Sequence, residues 1–383
     1  MFDKICSFEN LHSAYLKARK CKRYKKEILE FGFNAEENLL KLKERLETQT
    51  YKHGGYREFV VNDAKKRTIR AAPFADRVVH HALCNVIEPI FDQTFIFDSY
   101  ACRKEKGTHK AAKRVKAFWR SLAFAERERE RERERESKNT TREIYCLQCD
   151  ISKYFDNINH EILFGILQKK IADKKVLRLI QEIVDSNNKE TGKGIPIGNL
   201  TSQLFANVYL NELDQYVKRV LKRRYYIRYM DDFLIFGDSK RELWQIKERI
   251  AGFLKTKLDL SLHPKKANVF PVKTGIEILG FRIFSDYSVL RKSTLKRFCK
   301  KLKEKNSGES AISKSFDSFC AFAGRARSRR TLENLETRFL PRRREQRTID
   351  RINADLQTVS LRPLTGFMHL IERSEIKLCL SKI

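Results

Sequence analysis

Tyr225-Tyr226-Ile227-Arg228-Tyr229-Met230-Asp231-Asp232-Phe233-Leu234-Ile235-Phe236 reads as two β-prone runs with a short polar break between them. The flanks predict a hairpin that pairs 226–229 with 233–236 and carries Met230-Asp231 at its tip. Adjacent carboxylates on such an edge repel each other unless a cation lies against them. An Asp pair can also be no more than a polar turn, because a short motif is a hypothesis until its context agrees. The aromatic and aliphatic flanks weigh towards a buried hairpin with a charged tip. A second acidic centre, Asp150, ends the apolar run Ile144-Tyr145-Cys146-Leu147-Gln148-Cys149. Alone it would read as a cap or turn residue. Two strand ends brought side by side would gather Asp150, Asp231 and Asp232. That set suits two divalent cations about 3.5–4 Å apart, the arrangement used for in-line phosphoryl transfer. Oxygen ligands favour magnesium.

The rest of the composition agrees with a phosphate-rich partner. The chain has 383 residues, 80 Lys and Arg against 49 Asp and Glu, and a formal charge of +31. Such an excess strains a compact state unless a polyanion balances it. Nucleic acid is the leading candidate, and an anionic membrane surface is second. At 41% hydrophobic residues the chain is globular. No apolar run approaches the ~18 residues that span a bilayer, and Met1-Phe2-Asp3-Lys4 lacks a signal-peptide layout. The expectation is an intracellular, cytoplasmic protein. Of nine cysteines, only Cys146 and Cys149 have metal-like spacing. On a strand, residues three apart point to opposite faces, so two buried thiols are expected rather than a zinc site.

Residues 8–50 read as amphipathic helices with a basic face, marked by Leu11, Tyr15, Leu39, Leu42 and Leu46. Residues 56–61 and 66–71 read as a β-hairpin, with Pro73 closing it and a helix starting at Asp76. Residues 126–136 alternate Glu and Arg. On a helix this places like charges at i, i+4 and opposite charges at i, i+3, which largely cancel. The expectation is a solvated insertion or linker that marks a boundary. A helix near Asn159, a glycine-bounded loop from Gly192 to Gly198, a helix through Phe205 and Leu213, and another over 241–257 follow. A strand pair is expected at 267–270 and 277–284, with basic helices beyond Ser285. Strands separated by helices, with both acidic centres at strand ends, predict an α+β fold.

With these elements placed, the chain resembles the reverse transcriptases. Tyr229-Met230-Asp231-Asp232 matches the family signature, and Asp150 through Asp156 matches its first catalytic motif. Gly194-Ile195-Pro196-Ile197-Gly198-Asn199-Leu200-Thr201-Ser202-Gln203 matches the motif between them. The resemblance covers roughly residues 40–300. It implies a right-hand polymerase: an N-terminal basic helical region (1–55), fingers (56–140, with the insertion at 126–136), a palm of antiparallel sheet backed by helices (141–285, interleaved with fingers elements at about 160–198), and a basic helical thumb and tail (286–383). It assigns Asp150, Asp231 and Asp232 as ligands of two Mg2+ ions, with the Ile151 carbonyl assisting. Lys65 and Arg67 would hold the incoming triphosphate; a solvated lysine would look the same in sequence. Phe155 would exclude a ribose 2′-hydroxyl, or simply pack in the core. Lys266 matches the lysine proposed to protonate departing pyrophosphate. Leu279-Gly280 matches the primer grip, and Arg103 and Lys106 lie in the second fingers motif. Arg325, Arg327, Arg329, Arg330 and Arg342–Arg344 would suit contacts to an RNA–DNA duplex, or form a solvated basic face.

The middle motif narrows the resemblance. Group II intron enzymes usually have Gln-Gly, with Ser-Pro beginning four positions after the glycine. Ile197-Gly198 followed by Ser202-Gln203 instead resembles the enzymes of diversity-generating retroelements. These copy a template-repeat RNA into cDNA with misincorporation opposite adenines. The resemblance implies dNTP substrates, Ile197 and Gln203 near the nucleotide, a structured RNA and a small basic accessory protein as partners, no membrane, and a bacterial, archaeal or phage-encoded source. The alternatives are a group II intron-like or retron-like reverse transcriptase, or a noncatalytic RNA-binding scaffold of polymerase shape. Intact carboxylates at all three positions argue against the scaffold.

Overall fold

The computed structural model describes residues 1–62, 66–135, 143–187, 192–304, 309–324 and 326–340. Its nine described strands are β1 (Arg57–Asn62), β2 (Lys66–Ala71), β3 (Tyr145–Asp150), β4 (Tyr226–Tyr229), β5 (Asp232–Gly237), β6 (Asn268–Pro271), β7 (Ile276–Ile278), β8 (Phe281–Ile283) and β9 (Ser288–Leu290). They form a β1–β2 ribbon, a four-stranded sheet of order β4-β5-β3-β6 and a three-stranded sheet β7-β8-β9. All the ladders are antiparallel. The α+β expectation stands. One strand pair does not: β6 pairs with β3, while β7 pairs with β8, so 267–270 and 277–284 lie in different sheets. The Gly275 bend between them, at φ +85, turns the chain from one sheet into the other.

Strand alternation divides the four-stranded sheet into two unlike faces. Leu147, Cys149, Phe233, Ile235 and Tyr226 join the main hydrophobic core, backed by helices Leu200–Gln215 and Lys240–Leu258. On the other face the β3–β5 register aligns Cys146 with Phe236, Gln148 with Leu234 and Asp150 with Asp232. The second sheet attaches on this face, where Gln148 Nε2 donates to the Glu277 carbonyl at 3.0 Å. The two cysteines therefore sit on opposite faces, both buried. Burial drives both thiols up, Cys149 to about 12, as befits packed groups rather than metal ligands.

The N-terminal third is helical as read: Phe2–Cys6, Phe8–Ala18, Lys26–Phe33 and Ala35–Glu47 pack with helix Phe74–Asp92 into the same core. The Glu-Arg run departs from expectation. It continues a single helix, Thr108–Arg135, whose earlier turns bury Ala111, Val115 and Phe118. Glu and Arg are good helix formers, so the packed first half can nucleate a helix that its charged half extends. Glu136 falls outside the described residues. Another difference is β9, a short strand within a stretch read as helical.

The chain divides into two units, Met1–Arg297 and the residues from Phe298. In the second unit, Phe298 stacks on Phe319 with ring centroids 3.8 Å apart, and Phe316 is buried. Helices Glu309–Ala323 and Arg329–Phe339 belong to it.

Candidate active site

Antiparallel pairing of Tyr229 with Asp232 leaves a two-residue turn, Met230-Asp231. Met230 takes φ +57, a left-handed conformation unfavourable for a residue with a Cβ, while Asp231 does not. That is the pattern of a type II′ turn, whose twist suits a hairpin but which ordinarily takes glycine first. The turn leaves Asp231 beside the end of β5, where Asp232 stands opposite Asp150 on the open face of the sheet. Three acidic residues, Asp150 and a pair 81 and 82 positions further on, thus share one strand end, each half-buried.

Cations already answer these charges. The Lys266 ammonium is hydrogen-bonded to Asp150 Oδ2. Burial raises the Asp231 pKa; Asp150 adds to the rise by repulsion, and Arg67 and Lys266 oppose it. Among the described residues no three His, Cys, Asp or Glu side chains are gathered closely enough to hold a metal ion as they stand. Unscreened, three carboxylates repel, and Lys266 takes one of them. The donor set is all oxygen, it faces away from the core, and an ammonium stands within it. These residues fit a hard divalent cation.

The remaining expected residues fall into distinct places. Ile151 forms an isolated bridge with Leu262, whose hydrogen bonds run from Ser152 N to Ser261 O and from His263 N to Asp150 O; the Ile151 carbonyl takes no part in them. Phe155 is half-buried against the core, edge-on to Tyr154, and its carbonyl accepts from Ile195 N at 2.9 Å. Ile197 sits on the β1–β2 ribbon, its carbonyl accepting from Arg70 N at 3.1 Å. Arg67 is exposed on β2. Gln203, by contrast, lines a small cavity with Cys84, Glu88, Arg103 and Asn207.

Two nucleic-acid assignments change. The Arg103 guanidinium bonds Asp92 Oδ1 at 2.6 Å and the carbonyls of Ile96 and Ser99, with Phe95 beneath it. It staples its own loop rather than reaching outward. Lys106 likewise donates to the Phe97 carbonyl at 2.8 Å and lies 3.5 Å from the centroid of the exposed Phe97 ring. Leu279 and Gly280, both at positive φ, form the two-residue turn between β7 and β8. Arg329 is exposed and paired with Glu333 at 2.9 Å. Lys65, Arg325 and Arg342–Arg344 lie outside the described residues.

One residue escaped the sequence reading. Arg228, counted there as part of a β-prone run, is fully buried and bound to Asp214, Asn207 and the Met230 carbonyl. Part of the signal was available: Arg228 is the one base between Tyr225 and Phe236, whereas Asp214 shares its stretch with Glu212 and does not stand out.

Residues 52–283 match the family model described as reverse transcriptase (RNA-dependent DNA polymerase). Protein YkfC of Escherichia coli is 26% identical over 260 residues, covering 58% of this chain and 64% of that protein. The group II intron-encoded protein LtrA of Lactococcus lactis is 26% identical over 337 residues, covering 70% of this chain and 52% of LtrA. The chain thus spans between half and two-thirds of the length of these relatives. Apo telomerase from Candida tropicalis aligns with a TM-score of 0.48 at 11% identity, over 66% of this chain and 53% of that one. No described helix is long and apolar enough to cross a membrane.

Proposed function

The chain belongs to the reverse transcriptase family, and from that premise we propose that it is an RNA-directed DNA polymerase whose centre is Asp150, Asp231 and Asp232. The observation that carries this is the β3–β5 register, which sets Asp150 opposite Asp232 with Asp231 in the adjoining turn. The substrates are an RNA template, a primer held as an RNA–DNA duplex, and dNTPs. The three carboxylates and the Ile151 carbonyl would hold two Mg2+ ions, which would supply the Lewis acidity that phosphoryl transfer needs. Lys266, hydrogen-bonded to Asp150, would meet a phosphate there. Arg67, close enough to act on Asp231, is placed to pair with the triphosphate. Phe155 borders the sugar. In this reading β1–β2 belongs to the fingers, the four-stranded sheet to the palm, and the basic helices beyond residue 286 to the thumb. A net charge of +31 makes nucleic-acid binding fall steeply with salt.

Within the family, Ile197 and Ser202-Gln203 favour the enzyme of a diversity-generating retroelement, working with a basic accessory protein in mutagenic retrohoming. Ile197 offers a nucleotide shape but no hydrogen bond, and losing a polar reader weakens discrimination. The likeness to LtrA supports the group II intron type about as well. Primer extension with sequenced products tests both levels. Asp231→Ala is expected to lose incorporation by more than about a thousandfold while RNA affinity stays within about twofold, since such an interaction acts on the transition state. Synthesis persisting in that variant overturns the centre. Wild-type errors concentrated at template adenines support the retroelement type, and an even error spectrum supports the intron type.

A further inference from the structure

The Arg228 side chain is wholly buried, as is that of Asp214. Its guanidinium spends its fork on three partners: Nε and Nη2 donate to the two Asp214 oxygens at 2.8 and 2.7 Å, and Nη1 donates to Asn207 Oδ1 at 3.2 Å and to the Met230 carbonyl at 3.0 Å. Tyr226 completes the cluster by donating to Asp214 Oδ1 at 2.6 Å. The backbone of Arg228 is fixed as well, its N–H donating to Asp98 O and its carbonyl accepting from Tyr100 N, both at 3.0 Å. A buried ion pair is a poor device for stability alone, because desolvation offsets the attraction. What this pair does accomplish is geometric. Met230 adopts a left-handed conformation that a residue with a Cβ keeps only where its surroundings over-determine it. The charge-assisted bond to its carbonyl supplies that constraint, one residue before Asp231.

We propose that Arg228, anchored by Asp214, is a positioning residue: it locks the Met230 carbonyl and so holds Asp231 and Asp232 in the arrangement that receives the metal ions. This rests on the metal-binding reading of the three carboxylates. Arg228 touches no reacting atom and acts through the turn. Lysine cannot replace it, since one ammonium lacks the planar fork that grips a carboxylate in two places while reaching a carbonyl.

The test measures Mn2+ binding to the full chain by electron paramagnetic resonance, beside thermal melting. Wild type is expected to bind Mn2+ and Asp231→Ala to lose it. The double variant Arg228→Met/Asp214→Leu removes both charges at once and is expected to fold, its melting temperature lowered modestly by the partners left at Tyr226, Asn207 and the Met230 carbonyl. It should bind Mn2+ at least about tenfold more weakly, the scale on which supporting partners tune metal sites. Adding Met230→Gly, which takes the turn's φ without strain, should restore part of that affinity, which a general loss of packing would not allow. Should the double variant fail to fold, Arg228→Lys gives the same readout with the charge retained. A folded variant that binds Mn2+ as wild type does overturns the role of Arg228 alone. A wild type with no Asp231-dependent Mn2+ binding overturns the metal-binding reading and this inference with it.

Discussion

The β4–β5 hairpin and the β1–β2 ribbon are both simple antiparallel pairs, yet they are built on opposite principles. β4–β5 is one side of a four-stranded sheet, with Tyr226, Ile227, Phe233, Leu234 and Ile235 all buried and an arginine locked beneath its turn. Among the described residues, β1–β2 has no third strand. Phe59, Val60 and Val61 are successive residues, so they face alternate sides, and all three are exposed. The ribbon is tied down at its base. Arg70 donates to the Asn187 backbone and side-chain oxygens at 2.5 Å and pairs with Glu58, and Asn187 donates to Gly194 O at 3.0 Å. One hairpin holds carboxylates still; the other leaves apolar surface for something to cover. Rigidity and availability are divided between them.

The largest effect should come from breaking the buried side. Asp214→Ala leaves the Arg228 charge inside the protein with its main partner gone, which costs about 3–5 kcal/mol. Chemical denaturation should show an unfolding free energy lowered by that amount, through a lower midpoint at unchanged slope. A loss below about 1 kcal/mol would mean that the guanidinium finds water, and the contrast between the hairpins would weaken.

How much of this was legible follows the range of the interactions. The Tyr229–Asp232 turn could be read because two β-prone runs flank two residues, a local pattern. The pairing of Asp150 with Asp232 spans 82 positions, and no local pattern states a register; what the sequence supplied was that each ends a strand. The split of 267–270 from 277–284 turned on which partner each strand takes, again a long-range choice. Helix Thr108–Arg135 was not read: its charged half has no hydrophobic periodicity, although its helix propensity is high. Arg103 illustrates a different limit. A basic residue in a nucleic-acid-binding family reads as a contact, and only coordinates reveal that its guanidinium makes four hydrogen bonds within residues 92–99.

Where the ribbon joins the rest of the chain, an intermediate effect is expected. Gly198 has φ +118, and a Cβ there would lie 2.9 Å from Ile69 Cγ2, a branched methyl with little freedom to move. Gly198→Ala should cost about 2 kcal/mol through strain at that φ. Because the neighbouring Ile197 carbonyl is bonded to Arg70, it should also raise the KM for dNTP more than it lowers kcat. Equal changes in KM and stability for Gly198→Ala and for a distant surface glycine, Gly252→Ala, would show that the joint carries no special role.

The smallest stability effect belongs to the ribbon's open face. Phe59 and Val61 alternate onto the same side of β1 and are both exposed, so Phe59→Thr/Val61→Thr removes little buried surface and keeps β-branched residues in the strand. The expected change in stability is within about 0.5 kcal/mol. If apolar contact with primer–template or nucleotide is what the face is for, the double variant should nonetheless bind primer–template several-fold more weakly. That loss has its own signature. Phosphate contacts set how affinity falls with salt, and this substitution leaves every cation in place. The plot of log affinity against log salt should shift down without changing slope. A changed slope would assign the loss to displaced phosphate contacts instead, and an unchanged affinity would leave the ribbon's exposed face without a part in binding.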